Sequence, residues 1–351
     1  MTEELAQIRP IRAGIRKVAH ASGFSVSTVS RALNGYTDVN AETRRRIEAV
    51  AEAMGYQPNY AASMLRRNTT QTVTFVVSQP WGKYADPFFL GVLDGLEMAL
   101  TAQDYDLQVV MARDAKREEE VTHRIVERNR SDAVIFARTR PEDERVDWLE
   151  ERGMPFVTLG QTARNSHCFV DRDQFRIGRE AVARFVALGH VDIGFLATPM
   201  IYTYTRHTLK GIEDGMLAAG LDPGSMQQIE CTVGGRTGAD AVTELFTRGK
   251  LPTALICGND VIAISAMEGL KRLGLRPGHD VALIGSDDAP ISAHVRPALT
   301  TFSQDLSAMG LRLGRLVLAR LGGDPTIYHE IIKPQLIVRE SDCLPAVPHE
   351  A

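Results

Sequence analysis

The stretch from Ile15 to Gly35 reads IRKVAHASGFSVSTVSRALNG, and it decides the fold of the N-terminal part of the chain. Apolar residues recur at helical spacing on both sides of Gly23, a residue that readily adopts the positive φ of a sharp turn. Ser25 is a favourable N-cap, because its hydroxyl can accept a hydrogen bond from a backbone N–H at the start of a helix. Asn34 and Gly35 end that helix with turn-forming residues. The pattern predicts two short helices, over residues 16–22 and 26–33.

The spacing of Ala19, Gly23 and Val29 indicates a helix-turn-helix. A small residue in the first helix lets the second helix cross it closely, and Val29 fills the seam between them. A third helix is predicted over residues 41–54, capped by Asn40. The second helix then presents to solvent several short side chains and one long bidentate donor, which suit base edges and phosphates in a DNA major groove: Val26, Ser27, Thr28, Ser30 and Arg31. A small helical bundle with no role in DNA binding is the alternative.

Basic residues are concentrated at the N-terminal end of the chain. Residues 1–67 contain ten Lys or Arg and six Asp or Glu, a net charge of +4, whereas the other residues contain 30 basic and 38 acidic side chains, a net charge of −8. Because a polyanion attracts a basic surface, this asymmetry favours nucleic acid as a partner of the N-terminal part alone.

The overall composition is that of a soluble protein, with 44% hydrophobic and 24% charged residues. No apolar run reaches the roughly 18 residues of a membrane-spanning helix, and the first residues, MTEELAQIRPIRAG, lack the apolar core of a secretory signal. The cysteines are scattered without a C-x-x-C pair, which is typical of buried thiols in a reducing compartment: Cys168, Cys231, Cys257 and Cys343. We therefore expect a cytoplasmic protein without membrane contact.

From Thr72 onward, short apolar strands alternate with amphipathic helices. Strands are predicted at TVTFVV (72–77), LQVVMA (107–112), AVIFA (133–137), FVTLG (156–160), DIGFLA (192–197), ALICG (254–258) and VALIG (281–285). Such alternation implies parallel sheets with right-handed crossovers, and about 270 residues exceed what one sheet usually needs. We therefore predict two similar α/β lobes with a cleft between them.

Side chains that could bind a small ligand follow several of these strands, because ligands of open α/β sheets sit beyond the carboxyl ends of the strands. Their planar groups can bridge neighbouring sugar hydroxyls with paired hydrogen bonds: Arg138, Asn259, Asp260, Asp287 and Asp288. Trp81, Phe88 and Phe89 could offer flat apolar faces to a sugar ring. The alternative is packing in the core for Phe88 and Phe89, and a plain surface position for Trp81.

Residues 56–67, YQPNYAASMLRR, connect the two parts of the chain. Pro58 holds the residue before it extended, so the third helix must have ended there. Asn59 can cap an alanine-rich segment that is too short to be a stable helix alone. We expect this segment to be disordered in the free protein and helical on DNA.

Two sets of motifs carry a resemblance to a known family. Residues 15–67, with VSTVSRALNG (26–35) and GYQPNYAA (55–62), closely resemble the headpiece of the lactose-repressor (LacI/GalR) family. DPFF (86–89), ALGHVDIGFLATP (187–199), DVALIGSDD (280–288) and LTTFSQDL (299–306) resemble the body of the same family and of its periplasmic sugar-binding relatives. The resemblance implies a small all-α helix-turn-helix headpiece joined to a two-lobed, periplasmic-binding-protein-like α/β core with parallel sheets.

The resemblance also implies domain boundaries. A headpiece over 15–58 is followed by a hinge helix at 59–70 and an effector-binding core at 71–343, and the tails at 1–14 and 344–351 are expected to be disordered. Lobe 1 would comprise about 71–169 and 302–332, and lobe 2 about 170–301 and 333–343. The chain would then cross between lobes near Val170, Thr301 and Lys333.

By resemblance, the DNA contacts belong to the second helix and the hinge. Val26 and Ser27 stand where the family reads bases, and Leu65 stands where a hinge leucine wedges between base pairs in the minor groove. The alternative for Leu65 is packing on the core. Arg16 and Lys17 depart from the family pattern, and we interpret them as additional phosphate contacts. The predicted DNA-binding set is completed by Ser25, Thr28, Ser30, Arg31, Asn34, Asn59 and Arg66.

Four residues match effector-contacting positions of the family: Arg206, Asn259, Asp287 and Gln304. With Trp81, Phe88, Phe89 and Arg138 they form the predicted effector site. A surface salt bridge is the alternative for Arg206, and a helix or turn cap is the alternative for Asp287. Gly160 stands where relatives often have an aspartate, which argues against a lactose-like ligand.

These observations predict a sequence-specific transcriptional regulator, most simply a repressor of carbohydrate-utilisation genes. It would bind a palindromic double-stranded DNA operator as a homodimer, under the control of a mono- or disaccharide effector and without a cofactor or metal. A purine-like corepressor is the alternative ligand. A sugar-transport binding protein is the alternative function, but it would need a secretory signal and no headpiece. No enzyme is predicted, because the chain has no G-x-G-x-x-G after a strand, no P-loop, no H-x-x-x-H pair and no G-x-S-x-G.

Overall fold

The computed structural model describes residues 14–56, 69–78, 87–232, 235–249 and 251–345. The chain divides into two compact units, Met1–Thr70 and Gln71–Ala351. Four of the predicted site residues lie outside the described residues: Asn59, Leu65, Arg66 and Trp81. Residues 59–68 of the predicted hinge helix also lie outside them.

The first unit contains a three-helix headpiece. Its helices are α1 (Ile15–Ser22), α2 (Val26–Leu33) and α3 (Ala41–Ala53). They enclose one small core, in which Val29 of α2 is fully buried, as the seam position requires: Val18, Ala19, Val29, Ala32, Ile47 and Ala51. The helix-turn-helix that the sequence predicts is therefore present.

The ends of the headpiece helices follow the predicted cap chemistry. The Ser25 hydroxyl accepts a hydrogen bond from the Thr28 N–H at 3.1 Å, and the Asn40 side chain accepts one from the Glu42 N–H at 2.8 Å. Gly23 has φ +77°, a left-handed conformation that costs glycine little, so the chain can leave α1 in a tight turn.

The second unit begins with a six-stranded parallel sheet that we call the N-lobe sheet, in the order β11-β5-β4-β3-β1-β2. Its strands are β1 (Thr72–Ser78), β2 (Asp106–Ala112), β3 (Ala133–Ala137), β4 (Phe156–Leu159), β5 (Phe169–Arg172) and β11 (His329–Ile332). Helices α4 (Pro87–Thr101) and α11 (Leu306–Leu321) cover one face. Helices α5 (Ala115–Glu127) and α6 (Glu144–Glu151) cover the other. The central strands β3 and β4 are buried on both faces, so neither alternates between apolar and exposed polar residues.

A second parallel sheet, the C-lobe sheet, has the order β7-β6-β8-β9. Its strands are β6 (Ile193–Ala197), β7 (Gln227–Glu230), β8 (Ala254–Cys257) and β9 (Ala282–Ile284). Helices α7 (Gln174–Ala187) and α8 (Thr203–Ala218) pack on one face. Helices α9 (Gly238–Thr247) and α10 (Asp260–Arg272) pack on the other. Short 3₁₀ helices lie at Pro223–Ser225 and Pro290–Ala293.

The chain passes three times between these lobes. It leaves the N-lobe sheet after β5, so the predicted crossing near Val170 falls inside that strand, and α7 already packs on the C-lobe. It returns through β10 (Thr301–Ser303) to α11, and it crosses again between β11 and β12 (Gln335–Ile337). Strands β10 and β12 pair antiparallel with each other.

Candidate functional site

The headpiece exposes the outer face of α2. Ser25, Val26, Ser27 and Arg31 are exposed, and Val26, an apolar residue, retains 43% of its accessible surface. Thr28, Ser30 and Asn34 are half-buried, whereas Arg16 and Lys17 on α1 are exposed. The predicted base-reading residues are thus accessible to a partner.

Two of the predicted DNA contacts also have roles inside the headpiece. The Asn34 side-chain amide donates to the Ser30 carbonyl, so it satisfies a carbonyl at the end of α2. Arg31 forms an ion pair with Asp38, and its guanidinium lies 5.9 Å from the Tyr36 ring centroid. A DNA contact of Arg31 would therefore compete with Asp38 for the guanidinium.

In the second unit, residues from both lobes line one cleft at the carboxyl ends of the parallel strands, where open α/β sheets bind ligands. The lining residues of the N-lobe are Phe88, Phe89, Ala137, Arg138, Leu159, Gly160, Asp171 and Arg172. Those that come after the first crossing are Gln174, Thr198, Pro199, Tyr202, Tyr204, Cys231, Gly258, Asn259, Ile262 and Asp287. Five of the eight predicted effector residues are among them: Phe88, Phe89, Arg138, Asn259 and Asp287.

Arg206 and Gln304 do not line this cleft. Arg206 is exposed on α8, and its Nε donates to the Met200 carbonyl at 2.8 Å. Gln304 lies next to the cleft, where its Oε1 is 3.4 Å from Nη1 of the lining residue Arg172. The Gln304 Nε2 is buried without a hydrogen-bond partner among the described residues.

The adjacent aromatic residues Phe88 and Phe89 divide their roles. Phe89 is part of the N-lobe core, and the Arg138 guanidinium lies 5.5 Å from its ring centroid. Phe88 is half-buried, and the Arg172 guanidinium lies 5.2 Å from its ring. Phe88 is therefore the one of the two with more surface available to a ligand, while Phe89 holds the helix on the sheet.

Arg172, which the sequence reasoning missed, is the centre of the cleft's polar contacts. It is the last residue of β5 in the N-lobe, and only 7% of its surface is exposed. Its Nη1 donates to the Asp287 Oδ1 at 2.9 Å and to the Ser286 carbonyl, both in the C-lobe. With the Gln174 amide oriented to satisfy both of its ends, the Gln174 oxygen accepts from Arg172 Nε at 3.0 Å.

A second contact between the lobes joins the segments that follow the carboxyl ends of β3 and β6. The Thr203 N–H at the start of α8 donates to the Thr139 carbonyl at 2.9 Å. Thr139 directly follows Arg138, which has φ +54°, a conformation that a non-glycine residue rarely adopts. Gly160 packs closely against Thr139, since a Cβ at position 160 would lie 2.6 Å from the Thr139 hydroxyl oxygen. An aspartate at this position would not fit without a shift of Thr139.

Asp260 organises the loop that carries Asp287. Its side chain is fully buried, and Oδ1 accepts from the Ser286 N–H at 2.8 Å and the Asp287 N–H at 3.0 Å. Oδ2 accepts from the Ala289 N–H and the Ser292 hydroxyl, and Oδ1 also accepts from the Thr301 hydroxyl. A carboxylate with this many donors fixes the backbone of the loop and thereby the position of the Asp287 side chain.

A buried ionic cluster contacts the backbone of Arg138. Arg145 forms ion pairs with Glu118 and Asp143, and its Nη2 lies 3.3 Å from the Arg138 carbonyl. Burial raises the pKa of Glu118 from 4.5 to about 7, although Arg145 acts in the opposite direction. Hydrogen bonds and charge from Arg145 hold the pKa of Asp143 below its ordinary value in spite of burial.

Further lining residues were not predicted from the sequence. Tyr202 and Tyr204 stack with their ring centroids 5.5 Å apart and could face a sugar ring. Burial raises the pKa of the buried Asp171 carboxyl, which accepts from the Gln161 Nε2 at 3.0 Å. Burial also raises the pKa of the Cys231 thiol to about 12, so this thiol stays protonated and is a poor nucleophile.

The described part of the chain has no cluster of three His, Cys, Asp or Glu side chains arranged to hold a metal ion. Within the same residues, no helix has the length and apolar character needed to span a bilayer.

Comparisons with known proteins agree with this architecture. Residues 14–59 match the family described as bacterial regulatory proteins, lacI family, and residues 182–341 match the periplasmic binding protein-like domain. The HTH-type transcriptional regulator AglR of Rhizobium meliloti is 31% identical over 93% of this chain and 93% of its own length. The HTH-type transcriptional regulator CelR of Thermobifida fusca is 29% identical over 94% and 98%.

Solved structures show the same fold. The structure of a CelR–cellobiose complex covers 94% of this chain and 100% of its own, with a TM-score of 0.70 and 28% identity. The Lac repressor dimer bound to operator and the anti-inducer ONPF covers 95% and 99%, with a TM-score of 0.82 and 22% identity. On the headpiece, the two-lobed core and these full-length matches, the chain belongs to the lacI family of bacterial transcriptional regulators.

Proposed function

We propose that this regulator is a repressor of carbohydrate-utilisation genes and that a mono- or disaccharide bound in the cleft controls its affinity for DNA. It binds a palindromic operator as a homodimer, with Val26 and Ser27 of each headpiece reading bases in the major groove. The exposed outer face of α2 and the basic side chains of α1 support the DNA-binding part of the proposal.

The observation that carries the sugar proposal is the chemistry of the cleft. Phe88, Tyr202 and Tyr204 provide aromatic faces, and Asn259 and Asp287 provide planar polar groups at the strand ends of the C-lobe. Such a combination suits a ring that is apolar on its faces and rich in hydroxyls at its edge. The cellobiose bound to the related CelR supports the same ligand class.

The test begins with a thermal-shift screen of the full chain against mono- and disaccharides, including glucose, galactose, maltose and cellobiose, with guanine and hypoxanthine as the competing class. A ligand of the native state raises the unfolding midpoint by mass action. Duplexes selected from a random DNA pool with the ligand-free protein then serve as the operator probe. We expect a sugar from the screen to change affinity for the selected duplex at least tenfold.

Two results would contradict the proposal. A midpoint raised by a purine and by none of the sugars would assign the cleft to a corepressor of a different class. Selection that returns no enriched duplex, or an enriched duplex without two inverted half-sites, would contradict the proposed operator and homodimer.

Exchange of both Val26 and Ser27 should change which half-site is selected, with a difference in binding free energy of about 1–3 kcal/mol for each altered base pair.

A further inference from the structure

Arg172 and Asp287 form an ion pair that spans the ligand cleft, and neither side chain is solvent-exposed. The side chain of Arg172 retains 8% of its accessible surface and that of Asp287 retains 13%, and Nη1 lies 2.9 Å from Oδ1. The pair joins the end of β5 in the N-lobe to the loop after β9 in the C-lobe. Both residues line the cleft, so the charge of this pair is part of what a ligand meets.

The protein itself engages most of the N–H donors of Arg172. Nη1 faces the Ser286 carbonyl, Asp287 and Gln304, while Nε and Nη2 lie 3.0 and 3.2 Å from the Gln174 oxygen. The guanidinium carbon also lies 5.2 Å from the centroid of the Phe88 ring. A guanidinium with these partners has little capacity left to bind a ligand directly, so its effect on a ligand must come through Asp287 and through charge.

The acidic and basic side chains are balanced among the described lining residues. They are two arginines and two aspartates: Arg138, Arg172, Asp171 and Asp287. Loss of one member of a buried pair leaves the other as an uncompensated charge, which a weakly polar surrounding does not screen well. The ligand preference of the cleft should therefore respond strongly to a change in either member.

We propose that Arg172 is a positioning residue that determines which ligand charge the cleft accepts. By neutralising and orienting Asp287, it leaves a carboxylate that accepts hydrogen bonds from ligand hydroxyls without attracting cations, so the cleft selects a neutral polyhydroxyl compound. This inference rests on the proposed function and goes further, since it excludes amino sugars, uronic acids and sugar phosphates as effectors.

The experiment compares ligands that differ in charge on one scaffold. The probes are glucose, glucosamine and glucuronate, and the corresponding disaccharides cellobiose, chitosan disaccharide and cellobiouronate, each tested by thermal shift and calorimetry at pH 6.5, where the amino sugars are cationic and the uronates anionic. We expect the wild type to prefer a neutral probe. In Arg172→Met the Asp287 charge, now without its arginine, should move the preference at least tenfold towards the amino sugar, and in Asp287→Asn the Arg172 charge, now without its aspartate, should move it towards the uronate.

Two variants serve as controls. Arg176→Met removes an exposed arginine two residues into α7 that pairs with Glu180, and it should leave the order of the six probes unchanged. Arg172→Lys keeps the positive charge but lacks the planar guanidinium group, so this variant should bind the probes more weakly but still prefer the neutral one. Arg172→Lys also gives a result if Arg172→Met proves too unstable to assay.

An unchanged order of preference in Arg172→Met, or an equal loss of all six probes, would overturn the inference and make Arg172 a purely structural residue. A wild type that prefers a charged probe would overturn it as well. If no probe shifts the wild type, the sugar proposal fails, and the inference, which rests on it, is overturned with it.

Discussion

Glu118 and Arg145 form an ion pair in the interior of the N-lobe, next to the carbonyl of the cleft residue Arg138. Burial raises the pKa of Glu118 from 4.5 to about 7, so the folded protein retains a proton there that the unfolded chain has released. Between these two values the native state binds more protons than the unfolded state. The stability that the raised pKa of Glu118 contributes is therefore complete below pH 4.5 and is lost as the pH rises to about 7.

We expect Glu118→Gln to remove this pH dependence. The difference in unfolding free energy between wild type and variant should change by about 3 kcal/mol between pH 4.5 and 7.5, in the direction that favours the wild type at low pH. Urea denaturation at intervals of half a pH unit measures it. The comparison must be a difference, because burial lowers the pKa of His167 to about 4, and that residue makes the native state more stable as the pH rises towards 6.5.

Glu120→Gln is the matched control for this measurement. Glu120 lies on the same helix, is exposed and pairs with Arg117, so its removal should leave the pH dependence unchanged. A constant difference between wild type and Glu118→Gln across the pH range would show that the pKa of Glu118 is the same in the folded and unfolded protein.

Single residues also show what the sequence could predict about the cleft. Asn259 and Asp287 were predicted because each comes shortly after an apolar strand that is easily recognised. Arg172 was missed because its strand, FVDR, ends in two charged residues and is too short and too polar to be recognised as buried. The residue is buried only because Asp287, Ser286 and Gln174 satisfy it, and those partners come from distant segments of the chain.

The helices pack in close pairs through glycines. In the pair α4 and α11, a Cβ at Gly310 would lie 2.0 Å from the Val92 carbonyl oxygen, and a Cβ at Gly95 would lie 1.8 Å from the Ser307 carbonyl oxygen. The two backbones are therefore nearly in contact, and this pair covers one face of the N-lobe sheet.

Gly310→Ala should destabilise the protein by about 1–3 kcal/mol or more, because the new methyl group must push α4 and α11 apart. The sign is the opposite of the ordinary gain of up to about 1 kcal/mol when alanine replaces glycine inside a helix. Thermal unfolding of the full chain measures the loss. Gly322→Ala, at the end of the same helix, is the control, since φ there is −73° and a Cβ would meet nothing closer than 3.4 Å.

If Gly310→Ala were as stable as Gly322→Ala, the close approach of α4 and α11 would not be a feature of the protein in solution.

The order of elements was predictable to a large extent. The seven predicted strands all exist. Central strands such as β3 and β8 are buried on both faces and are therefore apolar runs between helical patterns, whereas β2 lies at a sheet edge with several exposed residues. Strands β5, β7, β10, β11 and β12 were not predicted. β7 reads QQIE and lies at one edge of its sheet, and β11 alternates exposed and half-buried residues at an edge, so neither forms a continuous apolar run.

The two units carry opposite charge, with +4 in residues 1–67 and −8 in the other residues. We expect DNA affinity to fall steeply with salt, since each phosphate contact contributes about −0.9 to the slope of log K against log salt concentration. Arg16→Gln and Lys17→Gln should each reduce the magnitude of that slope by about 0.9, because each variant would bind one phosphate fewer than the wild type. Fluorescence anisotropy with a selected duplex between 50 and 300 mM KCl measures it.

Arg272→Gln, an exposed arginine on α10 of the second unit, is the control and should leave the slope as in the wild type. Equal slopes for wild type and the Arg16 and Lys17 variants would show that these two residues do not contact phosphates.

The sequence could predict the headpiece residues but not that Arg31 already has an internal partner in Asp38, because a contact across a turn leaves no periodic signal.

The hydrogen bonds of Asp260 make the backbone course of the loop independent of the side chain that the loop presents to a ligand. Asp260 holds the backbone amides of Ser286, Asp287 and Ala289, so the course of the loop does not depend on which side chain stands at position 287. Position 287 can therefore be randomised in a library while the loop keeps its shape. Coupled to a fluorescent reporter gene, such a library would be a source of biosensors for ligands that the natural protein ignores.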